Sequence, residues 1–372
     1  MAKINLKFKD GRTSQIIMLD KKPADLLCGE LKKEKYQYVV LFCDSQVAKL
    51  YGRAVEQKIS SVTKTDLITF PVGEQSKSFP VFAKIIGQVA EKKYPRDTLI
   101  IALGGGVTGD LTGFIASIYM RGVDLWQVPT TLLAMVDSSI GGKNGINSRY
   151  AKNIIGTFYQ PRKILVTPQF LQSLPKSQLQ EGMAELIKTL ILFDRASFTK
   201  LENNPINLNR PNLTKLVPLV KTCMVAKGRA VIADEREVTG LRSLLNFGHT
   251  VGHAIEKVSN HRISHGQAVA TGMIVESYMS YLLGKIKKSE VLKIKKILQQ
   301  YGFQDSVDFP HKMLYNTIKL DKKNRGGGVC LPLVAAIGKV AKNRSKWVFS
   351  FPRNRFEELL KESIELTNEA VK

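Results

Sequence analysis

The chain has 372 residues, 44% of them hydrophobic, and carries 56 Lys and Arg against 32 Asp and Glu for a net charge of +24. That length suggests two domains with sizeable cores, no apolar run reaches a membrane span, and the start of the chain has no apolar leader segment. Cys28, Cys43, Cys223 and Cys330 match neither a disulfide framework nor a zinc knuckle, so a cytoplasmic protein without a membrane partner is expected.

The charge alone would suit nucleic-acid binding. No helix-turn-helix or zinc-finger pattern supports it. The densest basic segment, 285–296, interleaves with Val291, Leu292 and Ile294 as an amphipathic helix with a solvated basic face, so no specific nucleic acid is expected. In chain order, Tyr38–Phe42 reads as a buried strand, followed by Asp44-Ser45 as the N-cap of a helix from Gln46. Leu67–Phe70 is a second strand, running into the polar loop Pro71–Lys77. Phe79–Lys93 then reads as a helix, with Ser78 as cap and Pro80 in its first turn. Leu99–Leu103 is a third strand, and it feeds Gly104-Gly105-Gly106-Val107-Thr108-Gly109-Asp110 and a helix through Met120. A strand that delivers glycines to a helix start suits a phosphate or dinucleotide. The backbone N–H groups can approach closely, and the helix N-terminus favours an anion. A second glycine stretch, Asp137-Ser138-Ser139-Ile140-Gly141-Gly142-Lys143, follows Pro129-Thr130-Thr131, and its lysine suits an anionic group or a proton relay. Lys152-Asn153, Gly156–Pro161 and a last strand, Ile164–Thr167, complete this half.

From about Pro168 the pattern is helical, which puts the domains at 1–170 and 171–372. Glu181–Leu192 carries Glu185 and Lys188 on one face. Leu213–Arg229 is a second helix, ending before Asp234-Glu235-Arg236-Glu237. Four of the five histidines, His249, His253, His261 and His265, then fall within one short region. His249 and His253 are four apart and share a helix face, and His265 opens the next element. Two imidazoles on one helix and a third from its neighbour suit a metal or proton-transfer site, and the spacing alone makes His253 a ligand as well. Gly248 and Gly252 thin this helix for close approach. Helices from Gln267 to Leu283, over the basic segment, and from Arg353 follow.

Taken together, these stretches resemble the 3-dehydroquinate synthase family, sugar-phosphate cyclases of the shikimate pathway. The motifs run in order through Pro71–Lys77, Gly104–Val123, Pro129–Asn147, Lys152–Pro161, Gly182–Lys188, Leu244–Glu256, His265-Gly266 and Asp321-Lys322-Lys323. The resemblance implies an α/β plus α fold, in which an N-terminal Rossmann-like nucleotide-binding domain precedes a helical metal-binding domain. It implies NAD, one divalent metal (zinc first, cobalt as the alternative) and a homodimer. The metal ligands become Glu185, His249 and His265, with His253 beside the metal as a proton-handling group. NAD contacts fall on Asp44, Glu74, Lys77, Gly105, Gly106, Asp110, Thr130, Thr131, Asp137 and Lys152. Substrate contacts fall on Arg121, Asn153, Lys188, Lys227, Arg242, Asn246, Lys322 and Lys323, with Arg121 reaching the phosphate in the neighbouring subunit. Lys143, His253 and Glu237 are the implied catalytic residues.

The implied substrate is 3-deoxy-D-arabino-heptulosonate 7-phosphate. It is converted to 3-dehydroquinate and phosphate by transient oxidation, β-elimination, reduction and aldol closure. Another sugar-phosphate cyclase, or a metal-dependent polyol dehydrogenase, is the alternative. The chain departs from the family pattern in three places. Asn144 stands where the family has threonine or a small apolar residue, Gln267 stands where it has glutamate, and Glu237–Leu241 is one residue longer.

Overall fold

The computed structural model describes residues 2–320, 328–343 and 346–369. It forms two compact units, Met1–Pro175 with Lys227–Ile232, and Lys176–Ala226 with Ala233–Lys372. The change of period near residue 170 gives no hint that a stretch of a later helix belongs to the first unit.

The first unit contains β1 (Ala2–Lys7), β2 (Thr13–Met18), α1 (Pro23–Leu31), β3 (Tyr38–Asp44), α2 (Ser45–Val47), α3 (Arg53–Ile59) and β4 (Lys64–Phe70). It continues with α4 (Phe79–Glu91), β5 (Leu99–Gly104), α5 (Gly106–Ile118), β6 (Leu125–Pro129), β7 (Lys143–Ile146), β8 (Ile155–Phe158) and β9 (Lys163–Val166). Seven strands make one sheet in the order β1-β2-β9-β6-β5-β3-β4, while β7 and β8 form a separate hairpin. All sheet neighbours are parallel except β1 against β2. The unbroken apolar run of β5 is what a parallel strand covered on both faces requires, and every residue of it is buried. From β3 the chain goes to β4 on one side, and from β5 to β6 on the other. The carboxyl ends of β3 and β5 therefore flank the point where the strand order reverses, where open α/β sheets bind ligands. Asp44 and Gly104 stand at those two ends.

Asp44 caps as its sequence suggests, its Oδ1 accepting the N–H groups of Gln46 and Val47 at 2.9 Å. Ser78 differs, since its side chain makes no cap bond and the residue instead bridges to Asn147. The sequence reading omits β1, β2, β6, β7, β8 and α1. Gln127, in the middle of β6, breaks its apolar run, and its amide donates to Gly109 O at 3.1 Å.

The second unit holds α6 (Lys176–Phe193), α7 (Arg195–Asn203), most of α8 (Leu213–Ala233), α9 (His249–Val258), α10 (His265–Leu282), α11 (Lys288–Gln300), α12 (His311–Ile318) and α13 (Arg353–Glu369). Four short strands that the helical reading misses accompany them, β10 (Gly328–Leu331) with β13 (Phe349–Pro352) and β11 (Val334–Ala336) with β12 (Lys339–Val340). Helix α10 is the centre of this unit, packing on α6, α9, α11 and α13. Ala268, Val275 and Met279 from α10 meet Val251, Leu314, Phe356 and Leu360 in one apolar cluster.

The α9–α10 crossing is unusually close. Gly248 precedes α9 at φ +80, and a Cβ at Gly272 would lie 2.0 Å from the Gly248 carbonyl oxygen. That atom is backbone and cannot swing away. Gly272→Ala is therefore expected to cost more than about 3 kcal/mol in urea unfolding, the upper end of ordinary overpacking. Gly29→Ala in α1, where a Cβ meets nothing within 4 Å, is the control and should stay within about 1 kcal/mol of the parent.

Candidate functional site

Glu185 lies on α6, only 1% exposed, and Lys188 one turn later is 2% exposed and ion-paired with it. His249 is the first residue of α9 and His265 the first of α10. Their Nε2 atoms lie 3.4 and 3.5 Å from Glu185 Oε1. Zinc bonds of about 2.0–2.1 Å at tetrahedral angles hold neighbouring donors about 3.3–3.4 Å apart, so each imidazole already stands near that spacing from Glu185, and all three groups offer donor atoms within 4.8 Å of one another. Both Glu185 oxygens are buried without a well-formed hydrogen bond, although Lys188 and the two imidazoles lie close. A buried carboxylate left in this state beside two imidazoles is chemically completed by a divalent ion.

Three further carboxylates hold the trio, and the sequence reading assigns none of them a role. Glu181, one turn before Glu185, accepts the Gly266 N–H at 2.6 Å and so anchors the start of α10 beside His265. Glu276, wholly buried in α10, accepts the N–H groups of Gly248, Thr250 and Val251 at 2.7, 3.1 and 3.2 Å. It caps α9 from a neighbouring helix, satisfying donors that the helix start leaves over. Glu256 Oε2 lies 3.3 Å from His265 Nδ1, and His249 Nδ1 lies 3.2 Å from Phe247 O, contacts that orient both rings. A lone acidic residue inside the apolar run of α10 was the available signal for Glu276.

In the first unit, the three glycines follow β5, and Gly106 opens the 13-residue α5. A Cβ at Gly105 or Gly106 would lie 3.1 Å from the side chains of Thr131 and Ser138 respectively. The cradle is thus bare backbone at a helix N-terminus, which fits a dinucleotide phosphate. Thr130 N–H donates to Gly104 O at 3.0 Å, and Thr131 Oγ1 accepts from Ala134 N–H at 3.1 Å. Lys77 Nζ donates to Asp110 at 2.6 Å and to Asn153 at 2.5 Å, with Glu74 3.9 Å away. Asn147 ties this group together, donating to Glu74 at 2.8 Å and accepting the Asn153 N–H at 2.9 Å.

Residues 67–181 match the family described as 3-dehydroquinate synthase N-terminal, and residues 182–324 match 3-dehydroquinate synthase C-terminal. The chain belongs to the 3-dehydroquinate synthase family. It is 40% identical over 319 residues to the 3-dehydroquinate synthase of Dictyoglomus thermophilum, covering 85% of this chain and 88% of that one. The corresponding protein of Thermodesulfovibrio yellowstonii is 38% identical over 349 residues, covering 91% and 95%. A solved 2-deoxy-scyllo-inosose synthase has the same fold, with a TM-score of 0.87 at 23% identity, covering 97% of this chain and all of that one.

Within this synthase-family chain, the Glu185–His249–His265 group closes without His253, contrary to the i,i+4 spacing. The His253 ring is 5.2 Å from that of His249 and 6.2 Å from that of His265. His261 sits in a turn at φ +58, outside the group. A cavity of about 390 Å³ opens here, lined in part by Glu237, Ser243, Asn246, His249, His253 and Lys257. The longer segment folds around Asp234, which accepts the N–H groups of Val238, Thr239 and Arg242, and Glu237 reaches the cavity wall at φ +58. Buried Arg242 donates to Glu235 O at 2.6 Å and lies 3.7 Å from Glu237.

Lys227 donates to Asp137 Oδ1 at 2.5 Å, which joins an expected substrate contact to an expected NAD contact. Asn144 donates to Gly142 O and Tyr159 O, both at 2.9 Å, and so closes the glycine turn before β7. Gln267 exchanges bonds with the Gln304 backbone, donating at 3.2 Å and accepting at 3.0 Å. Lys143 and Lys152 are exposed, and so is Arg121, at φ +66. Lys322 and Lys323 lie outside the described residues.

Burial opposes charge on His265, but bonds to Glu185 and Glu256 outweigh it and lift its pKa to about 10. Burial and then the Lys188 ammonium hold His249 well below its usual value. Burial raises Glu185, yet Lys188, His249 and His265 together bring it well below the carboxylate range. Burial lifts Glu276 to about 8 against its three N–H bonds, and likewise raises Asp110 against the pull of Lys77. A cation needs a neutral imidazole, and His265 is protonated below about pH 10 in the metal-free protein. Loading zinc near pH 8 should therefore release about one proton, and affinity should rise with pH toward that value, as read by calorimetry in buffers of different ionisation enthalpy.

Proposed function

We propose that this chain is an active 3-dehydroquinate synthase, turning 3-deoxy-D-arabino-heptulosonate 7-phosphate into 3-dehydroquinate and phosphate. The observation that carries the reading is buried Lys188 set against the unsatisfied Glu185 of a two-histidine group, in a chain that also presents a bare glycine cradle. The chemistry that the bound groups supply is hydride acceptance and return by NAD, and polarisation of substrate oxygens by a divalent cation, zinc in our reading. The 2-deoxy-scyllo-inosose synthase of like fold is complexed with carbaglucose-6-phosphate, NAD+ and Co2+, which supports both groups.

The rest falls to this chain's own side chains. Gly105, Gly106, Lys77, Asp110, Thr130 and Thr131 hold the dinucleotide, with Asp44, Glu74, Asp137 and Lys152 around it. Lys188, Arg242 and Asn246 of the second unit, Lys227 and Asn153 of the first, and the Lys322-Lys323 pair are each read as contacts for the substrate's anionic groups. Lys143 of the first unit and Glu237 of the second are read as further catalytic groups. His253, exposed on the cavity wall, moves protons during elimination and ring closure.

We also read the enzyme as a cytoplasmic homodimer. None of its four cysteines is in a disulfide, and among the described residues no helix is long and apolar enough to cross a membrane. Exposed Ile118 and Met120 lead into Arg121, and β8, packed on α5, exposes Ile155 and Phe158. The test is an assay of the purified, NAD- and zinc-loaded protein with the heptulosonate phosphate. Phosphate and 3-dehydroquinate should appear one for one, and a dimer should elute on gel filtration. Failure to release phosphate from this substrate would refute the reading.

A further inference from the structure

The His265 ring faces a carboxylate on each side. Its Nε2 lies 3.5 Å from Glu185 and its Nδ1 3.3 Å from Glu256. The second separation is longer than the about 2.7–2.9 Å of a charge-assisted N–H···O bond, and it equals the donor spacing of a tetrahedral cation site. His253 precedes Glu256 by three residues on α9, so both project from one helix face. One donor atom from each of His253, Glu256 and His265 lies within 4.8 Å of the others. His253 is exposed and lines the cavity, which gives an ion a path in.

We propose that His253, Glu256 and the Nδ1 face of His265 form a second site for a divalent d-block cation, sharing the His265 ring with the first. Filling it releases the Nδ1 proton to solvent and bridges two ions through one imidazole. The site is the weaker of the two. It must displace the Glu256–His265 contact, and Lys257 brings a positive charge to the same cavity wall. Occupancy engages the His253 lone pair, so excess metal slows turnover. This consequence rests on the proton-handling role read above for His253, whereas the binding itself does not.

The experiment is equilibrium dialysis of the full chain against rising free zinc, with bound metal counted by elemental analysis and turnover assayed on the same samples. The wild type should take up one ion per chain, then a second at about 100-fold higher free zinc, an offset of the size that losing an orienting contact produces. Turnover should fall with the second step. His253→Gln should keep the first ion, which also shows that it is folded, and should lose the second. Glu256→Gln should likewise lose the second ion while holding the first more weakly. Uptake stopping at one ion in the wild type would overturn the proposal, as would a second ion that persists in His253→Gln. Two ions bound by a protein that releases no phosphate would leave this site standing and refute the synthase reading instead.

Discussion

Glu185→Gln protein is expected to purify folded, without a stoichiometric ion, and with kcat/KM lowered by at least about 10³-fold. The variant keeps the size and shape of the side chain and removes the one charge in the trio that compensates a cation. Lys188 then faces an amide, and the ion would meet two imidazoles and a positive neighbour. The fold should survive because the Glu185 carboxylate makes no well-formed hydrogen bond and, Lys188 and Thr189 apart, the other buried residues of α6 are apolar or glycine. Elemental analysis and far-UV circular dichroism on one preparation decide it. Stoichiometric metal in Glu185→Gln would remove Glu185 from the ligand set, and an unfolded variant would show that the second unit depends on the charge at Glu185, through the ion or through Lys188.

Gly105→Val is expected to weaken NAD binding at least about 100-fold, roughly 3 kcal/mol, while leaving the metal content unchanged. A single Cβ at this position already comes 3.1 Å from Thr131 Cγ2, and two further methyls fill the space in which a phosphate would meet the α5 N-terminus. Titration of nicotinamide fluorescence in the apo-protein measures the loss. Unchanged affinity would place the dinucleotide away from the β5–α5 turn. The two substitutions test the two proposed cofactor sites separately, since Gly105 and Glu185 belong to different compact units.

Much of this was legible in the chain because the informative residues are local. Strand β5, its glycines and α5 are contiguous, so their pattern announces both the parallel strand and the cradle. The histidine run is equally local, yet its geometry is not. Spacing makes His249 and His253 equivalent, and only the approach of α6, with Glu185 meeting His249 and His265, separates the ligand from its neighbour. The resemblance to the family supplied that distinction in advance.

What the sequence hid were contacts made across elements. Glu276 reads as an oddity in an apolar helix until its three backbone donors on α9 are seen. Gly272 reads as a helix-weakening residue until it meets the Gly248 carbonyl. Asn144, a departure from the family pattern, proves to brace the turn at Gly142, while a Cβ at Gly113 would collide with it at 1.9 Å. Strands β10 to β13 are two to four residues long and too short for any period to register.

The most direct test of the central claim is a hydride balance. The zinc-loaded protein is given excess heptulosonate phosphate and NAD well below the substrate concentration, and phosphate release is followed alongside absorbance at the nicotinamide wavelength. The proposed reaction, in which the dinucleotide is retained and phosphate is the leaving group, predicts many phosphates per NAD with no accumulating NADH. NADH rising one for one with product, without phosphate, would contradict the account and make the chain a dehydrogenase.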